Sequence, residues 1–186
     1  MSRPTLVAAA STVLLLAGCG DSTDELSAEA EWADNICRTA DDVSGDLSAL
    51  TDAVQFDTNS DTRALKEAQS ELADRAEAVQ QSTSDLGAAV TDLPADADAA
   101  IVDAQQELSA LASDLEASID ALDAAVSDAA DANTSQQFAM ALTNGAAAAA
   151  ATQNDLSTLT DRLTNNAEST QDTVQQAFQD APSCQN

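Results

Sequence analysis

Histidine and tyrosine are absent from this chain of 186 residues, and aromatic residues make up only 2% of it. Histidine is the usual general acid or base at neutral pH, and it activates many serine and cysteine nucleophiles. Common nucleophile, phosphate-binding and dinucleotide-binding motifs are also missing. Paired carboxylates remain as an acid and a base, but aspartates between apolar stripes usually form a solvated helix face. The sequence therefore predicts a non-catalytic protein that uses no cofactor.

Basic residues are scarce. The chain has 6 lysines and arginines against 33 aspartates and glutamates, which gives a formal net charge of −27. A field of this sign and size repels nucleic acid and anionic lipid headgroups, and it destabilises the compact state through self-repulsion. We therefore expect no nucleic-acid partner.

Clustered aspartates are the candidates for a calcium or magnesium site. The clusters are Asp41-Asp42, Asp96-x-Asp98 and Asp120-x-x-Asp123. None of them matches the D-x-[DN]-x-[DN]-G loop that wraps a hard cation. We expect weak, diffuse association of cations and no specific metal site.

An apolar stretch over residues 6–18 is too short to cross about 30 Å of hydrocarbon, which takes about 20 helical residues. A single Arg3 precedes it, as in a signal peptide. The stretch ends in Leu16-Ala17-Gly18-Cys19, which resembles the lipobox of bacterial lipoproteins. An ordinary cleaved signal peptide that happens to end near a cysteine is the alternative interpretation.

The lipobox resemblance implies that residues 1–18 are removed and that the Cys19 sulfur carries a diacylglyceryl group, with a further acyl chain on the new amine. Two or more chains anchor a protein stably, whereas one binds only marginally. We expect residues 19–27 to form a flexible tether and residues 28–184 to form one domain. This lipid anchor predicts a location on the outer face of the bacterial cytoplasmic membrane.

Apolar residues recur three and four positions apart along the chain, although acidic chains with few aromatics are often disordered. The stripes cover residues 33–54, 65–93, 101–129 and 138–177. This spacing places one apolar face on each of four long helices, the first capped by Ser27. A pair of residues that favours turns, Asn144-Gly145, is a candidate break in the last helix.

Four such helices joined by short loops predict an all-α fold, an up-down-up-down antiparallel four-helix bundle with left-handed packing. An extended oligomeric coiled coil is the alternative. Loops of only a few residues favour the bundle, because they let the chain fold back on itself.

Cys37 near the start of the first helix and Cys184 after the last one lie at the same end of such a bundle. An exported chain meets an oxidising environment, so we expect a disulfide between them. Metal ligation or a redox-active thiol would need partners, and the chain has no histidine and no C-x-x-C motif.

The few aromatic residues fall at the ends of the predicted bundle. Trp32 and Phe178 belong to the end with the disulfide, whereas Phe56 and Phe138 belong to the opposite end. We expect these rings to close the ends of a thin core. The alternative is that Phe56 and Phe138 form an exposed hydrophobic contact for a partner.

The segment from Trp32 to Cys37 has the pattern W-x-D-x-x-C, and the chain closes with Ala181-Pro182-Ser183-Cys184, an A-x-x-C pattern. Together with the alanine-rich body, these elements resemble small uncharacterised actinobacterial lipoproteins. That family implies no established activity.

Two functions of different classes follow. The first is a membrane-anchored interaction or structural module that contacts a protein or another component of the cell envelope. The second is a ligand-binding or sensory domain in which the small residues from Gly145 to Ala151 leave a slot between helices. Close helix packing explains those small residues equally well, and only Thr83, Thr152 and Thr170 suggest a polar lining.

Overall fold

The computed structural model describes residues 26–53, 62–168 and 171–185. Their regular structure is entirely helical, with no strand. Their helices are α1 (Ala28–Ala53), α2 (Thr62–Thr91), α3 (Ala99–Ala130), α4 (Ser135–Ala167), α5 (Asp172–Asp180) and a final 3-10 helix (Pro182–Gln185).

Polar side chains fix where several helices begin. The backbone N–H of Ala30 donates to Oγ of Ser27 at 3.1 Å, which confirms Ser27 as the cap of α1. Asp98 caps α3 by accepting from the N–H of Ala100 at 2.9 Å. Thr134 caps α4 through its hydroxyl in the same way. These caps satisfy N–H groups that have no partner within the helix.

The predicted apolar stripes form the core. Each long helix packs against the next one along the chain, and α1 also packs against α4. Among the described residues, the largest fully buried side chains include Ile36, Leu47, Leu86, Ile101, Leu108, Leu115, Phe138, Leu159 and Phe178. Burial of a large apolar side chain stabilises the fold by about 1.5–3 kcal/mol. Each of these positions therefore contributes more to stability than a buried alanine does.

The chain after Thr134 differs from the expected single helix. No break occurs at Asn144-Gly145, since α4 is continuous from Ser135 to Ala167. Alanines surround Gly145, and their high helix propensity offsets the cost of one glycine. The helix ends instead at Ala167, where Asn, Ser and Thr residues of lower helix propensity begin to dominate the sequence.

The short helix α5 packs against α1, α3 and α4 through buried Val174, Ala177 and Phe178. The side chain of Gln179 donates to the carbonyl of Ala167 at 3.1 Å, which ties α5 to the end of α4. The 3-10 helix then lies against α1. This arrangement brings the C-terminal segment back to the first helix.

Candidate functional site

The C-terminal segment is joined to α1 by a disulfide between Cys37 and Cys184, as the sequence predicts. The two Cα atoms lie 5.2 Å apart, and the bond closes a loop with a sequence separation of 147. Cys37 is 6% exposed, and Cys184 is half-buried against the core. The bond therefore links nearly the two ends of the described chain.

Trp32 connects three helices at this end. Its indole N–H donates to the carbonyl of Val90, near the end of α2, at 3.3 Å. Its ring meets that of Phe178 on α5 edge-to-face, with the centroids 5.8 Å apart. Such aromatic pairs add about 0.5–1.5 kcal/mol beyond the area that they bury. Trp32 and Phe178 thus close the end of the core that contains the disulfide.

Asp34 holds the C-terminal segment through a charge-assisted hydrogen bond. Its carboxylate accepts from the backbone N–H of Ser183 at 2.7 Å. Ala181, two residues before Ser183, is fully buried. The W-x-D-x-x-C and A-x-x-C elements therefore act together to fasten the C-terminal segment to α1, and this gives both patterns a structural role.

The remaining predicted site residues fall in two places. The described residues do not include the predicted cleavage and lipidation motif, Leu16, Ala17, Gly18 and Cys19, nor do they include Phe56. Phe138 on α4 is 1% exposed and packs in the core, so its ring is not on the surface as a contact for a partner.

The small residues of α4 line a cavity of about 100 Å³. Gly145, Ala146, Ala149 and Ala150 form one wall, and residues of α1, α2 and α3 complete the lining. No lining residue is charged, and the polar ones are Thr51 and Gln153. The lining includes exposed residues, so the cavity reaches the surface between α1 and α4.

The threonines expected to give this region polarity do not do so. Thr83 is buried, but its hydroxyl donates to the carbonyl of Val79 at 2.8 Å. The hydroxyl of buried Thr152 donates to the carbonyl of Ala148 at 3.0 Å. Thr170 lies outside the described residues. Both described hydroxyl groups thus donate their hydrogens to carbonyls within their own helices. Because they offer no free donor, the cavity suits an apolar group.

Beside the cavity, α4 presents a surface that the sequence predictions did not single out. Residues 132–154 contain no charged side chain. Within this segment, Met140 is 56% exposed, and it is the exposed large hydrophobic residue of the described chain. The signal is visible in the sequence as a gap in an otherwise dense distribution of acidic residues.

Acidic residues mostly line the outer faces of the helices. Asp41, Asp42, Asp46 and Asp85 border a shallow groove between α1 and α2. Within the described ranges no group of three or more histidine, cysteine, aspartate or glutamate residues is placed to hold a metal ion. Asp98, from another aspartate cluster, is the cap of α3.

Comparison of the chain with protein-family models, with curated proteins and with solved structures finds no match. None of the helices in the described part of the chain is long and apolar enough to cross a membrane.

Proposed function

We propose that this chain is an exported lipoprotein, anchored through Cys19 to the outer face of the bacterial cytoplasmic membrane. Its helical domain acts as a non-catalytic interaction or structural module in the cell envelope. The observation that carries this proposal is the Cys37–Cys184 disulfide. Disulfides form and persist in oxidising compartments outside the cytoplasm, which is where a lipobox would send the chain.

The placement of the disulfide relates the tether to the cavity. The tether between Cys19 and α1 is eight residues long, so it spans at most about 29 Å. It leads to the end of the fold that the disulfide closes. Thr51 at the cavity lies 23 residues into α1, about 34 Å from its start. The cavity and the uncharged surface of α4 therefore lie at the end of the fold opposite the tether, where the anchor leaves them accessible to a partner.

We propose for the helices the up-down-up-down antiparallel four-helix bundle with left-handed packing. The support is that α1–α2, α2–α3 and α3–α4 pack extensively and that α1 and α4 also meet over a shorter contact. Glu107 on α3 pairs with Arg162 on α4, and Ser118, which is later on α3, donates a hydrogen bond to Asp155, which is earlier on α4. From the first contact to the second, the residue number increases on α3 and decreases on α4. Two antiparallel helices require this order. A single chain that buries its own stripes leaves no need for a coiled coil with other chains.

The ligand-binding alternative has one observation in its favour, the cavity beside Gly145. Ligand sites usually enclose about 300–1,000 Å³ and carry a few convergent polar groups. This cavity of about 100 Å³ is smaller than that, and Thr51 and Gln153 are its polar residues. Its size suits a single side chain better than a metabolite, so we place interaction ahead of ligand binding.

Fractionation of the producing cells tests the anchor. The unaltered protein is expected in the membrane fraction with a mass increased by lipid, whereas Cys19→Ser is expected to be free of lipid and released from the membrane. Ser22→Ala, a change of similar size in the same tether, is the matched control and is expected to remain anchored. A Cys19→Ser protein that stays in the membrane would refute the lipid anchor.

Crosslinking in the intact envelope, followed by mass spectrometry, tests the interaction role. A reproducible protein contact at the cavity end supports it. A small molecule that co-purifies with an uncrosslinked protein supports the ligand-binding alternative instead.

A further inference from the structure

The loop between α3 and α4 contains a sequence pattern that the proposed function does not use. Asn133-Thr134-Ser135 matches N-x-[ST], the acceptor pattern for N-linked glycosylation, in which the middle residue is not proline. Asn133 is the only asparagine of the sequence that has a serine or threonine two positions later. Such a short pattern indicates a modification site only where the asparagine is accessible at the surface of an exported protein.

The structure places Asn133 in such a position. It lies between the two helices, and both Asn133 and Thr134 are exposed. The backbone of Thr134 is extended, with φ −135° and ψ 149°, because α4 begins only at the next residue, Ser135. A transferase can therefore approach the amide of Asn133 from solvent.

Hydrogen bonds fix the backbone of this loop. From one side, Nε2 of Gln69 on α2 donates to three carbonyls at and just after the end of α3, at 2.9, 3.1 and 3.0 Å. From the other side, the side chain of Gln137 accepts from the backbone N–H of Asn133 at 3.1 Å. The N–H of Gln137 in turn donates to the hydroxyl of Thr134 at 3.2 Å. None of these bonds uses the side-chain amide of Asn133, so they hold the loop in place whether or not that amide is modified.

The side-chain amide of Asn133 takes part in one weak contact. Its Nδ2 atom has two hydrogens, and one of them donates to the carbonyl of Asp131 at 3.1 Å. This bond is exposed, so water can replace it at little cost. The exposed carboxylate of Asp131, two positions before Asn133, is a charged group by which a transferase can recognise the segment.

The surface charges favour a neutral, hydrophilic group at this position. Residues 132–154 contain no charged side chain, whereas the whole chain has a net charge of −27. Met140, which is 56% exposed, lies in this segment about 8 Å along α4 from Ser135. A glycan is bulky and solubilising. Attached to Asn133, it would hydrate the part of the surface that the carboxylates leave bare.

We propose that Asn133 is the acceptor of an N-linked glycan, transferred outside the cytoplasm from an oligosaccharide carried on a polyprenyl diphosphate. The Nδ2 atom of Asn133 forms a bond to the anomeric carbon of the first sugar. The bond from that carbon to the diphosphate oxygen breaks, and the diphosphate leaves with the electron pair. Nδ2 loses one of its two protons to a base of the transferase, so no oxidant or reductant is needed. The inference rests on the proposed export of the chain but not on the lipid anchor or the interaction role.

Peptide mass spectrometry of the protein isolated from the producing cells tests the site. We expect the peptide with Asn133 to be heavier by a whole number of sugar residues, and fragmentation should locate them on Asn133. Asn133→Gln and Ser135→Ala should lose the added mass completely, whereas Ser135→Thr, which keeps a hydroxyl, should retain it. Asn144→Gln is the matched control and should also retain it, since Asn144 is an exposed asparagine of the same uncharged segment without a serine or threonine two positions later.

An unmodified Asn133 in the parent protein overturns the proposal, and so does a glycan on the hydroxyl of Thr134 or Ser135. Protease added to intact cells stripped of their wall separates this failure from a failure of export. Degradation of a protein with unmodified Asn133 refutes the glycan alone. A protein that the protease cannot reach refutes the proposed export and the glycan with it.

Discussion

Removal of the Cys37–Cys184 disulfide is expected to cost a large share of the folding stability. The bond closes a loop with a sequence separation of 147, and the chain-entropy model gives about 5 kcal/mol for a loop of that length. This is comparable to the net stability of many domains, which is about 5–15 kcal/mol. For a domain of this size the loss corresponds to a fall in melting temperature of about 10–20 °C.

The best variant is Cys184→Ala, because Cys184 is half-buried whereas Cys37 is buried in the core. A change at Cys37 would add a packing defect to the loss of the bond. Apart from that defect, each single variant should melt like the double variant, since either change removes the same bond. Added salt should restore part of the loss by screening the acidic faces.

Thermal unfolding followed by circular dichroism measures the effect, and alkylation of the denatured, unreduced protein checks the bond itself. Neither Cys37 nor Cys184 should react before reduction, and both should react after it. Labelling of both thiols without reductant, or a Cys184→Ala variant that melts within about 2 °C of the parent, would refute the reasoning, since that shift corresponds to under about 1 kcal/mol.

Three further substitutions are to be compared with the parent by chemical denaturation. Gly45→Ala is expected to raise the free energy of unfolding by about 0.5–1 kcal/mol, because the glycine is exposed within α1 and an added Cβ meets nothing within 4 Å; a lower value would contradict this. Asp34→Ala should lower it by about 1–3 kcal/mol, since the N–H of Ser183 loses its charged acceptor; an unchanged value would show that this bond contributes nothing. Leu115→Ala should lower it by about 2–5 kcal/mol from a fully buried position of α3, and a loss under about 1 kcal/mol would mean that the site collapses around the smaller side chain.

Features that many residues encode together were predictable from the sequence. The stripe of α3, from Ile101 to Ala129, repeats along the whole helix, so a few ambiguous positions do not obscure which face is buried. The cap at Ser27 was predictable because one side chain makes the bond within its own turn. The disulfide followed from the positions of two cysteines at one end of the predicted fold.

Features that depend on packing between distant segments were not predictable. The end of α4 at Ala167 reflects weak local preferences combined with the docking of α5 onto α1, and no local pattern encodes that docking. The cavity requires the positions of four helices at once, although the alanines that line it suggested a slot. The hydrogen bond of Asp34 to Ser183 joins residues 149 positions apart, beyond the reach of any periodicity.

The core of α4 changes along its length, and this change accounts for the position of the cavity. Near the disulfide the helix buries Leu156, Leu159 and Leu163, whereas beyond Phe138 at its other end it buries the small residues Ala141, Gly145 and Ala149. A methyl group gains far less on burial than an isobutyl group, so the stretch from Ala141 to Ala149 contributes less apolar burial, and this is where the cavity lies. The disulfide reinforces only the end that is already well packed.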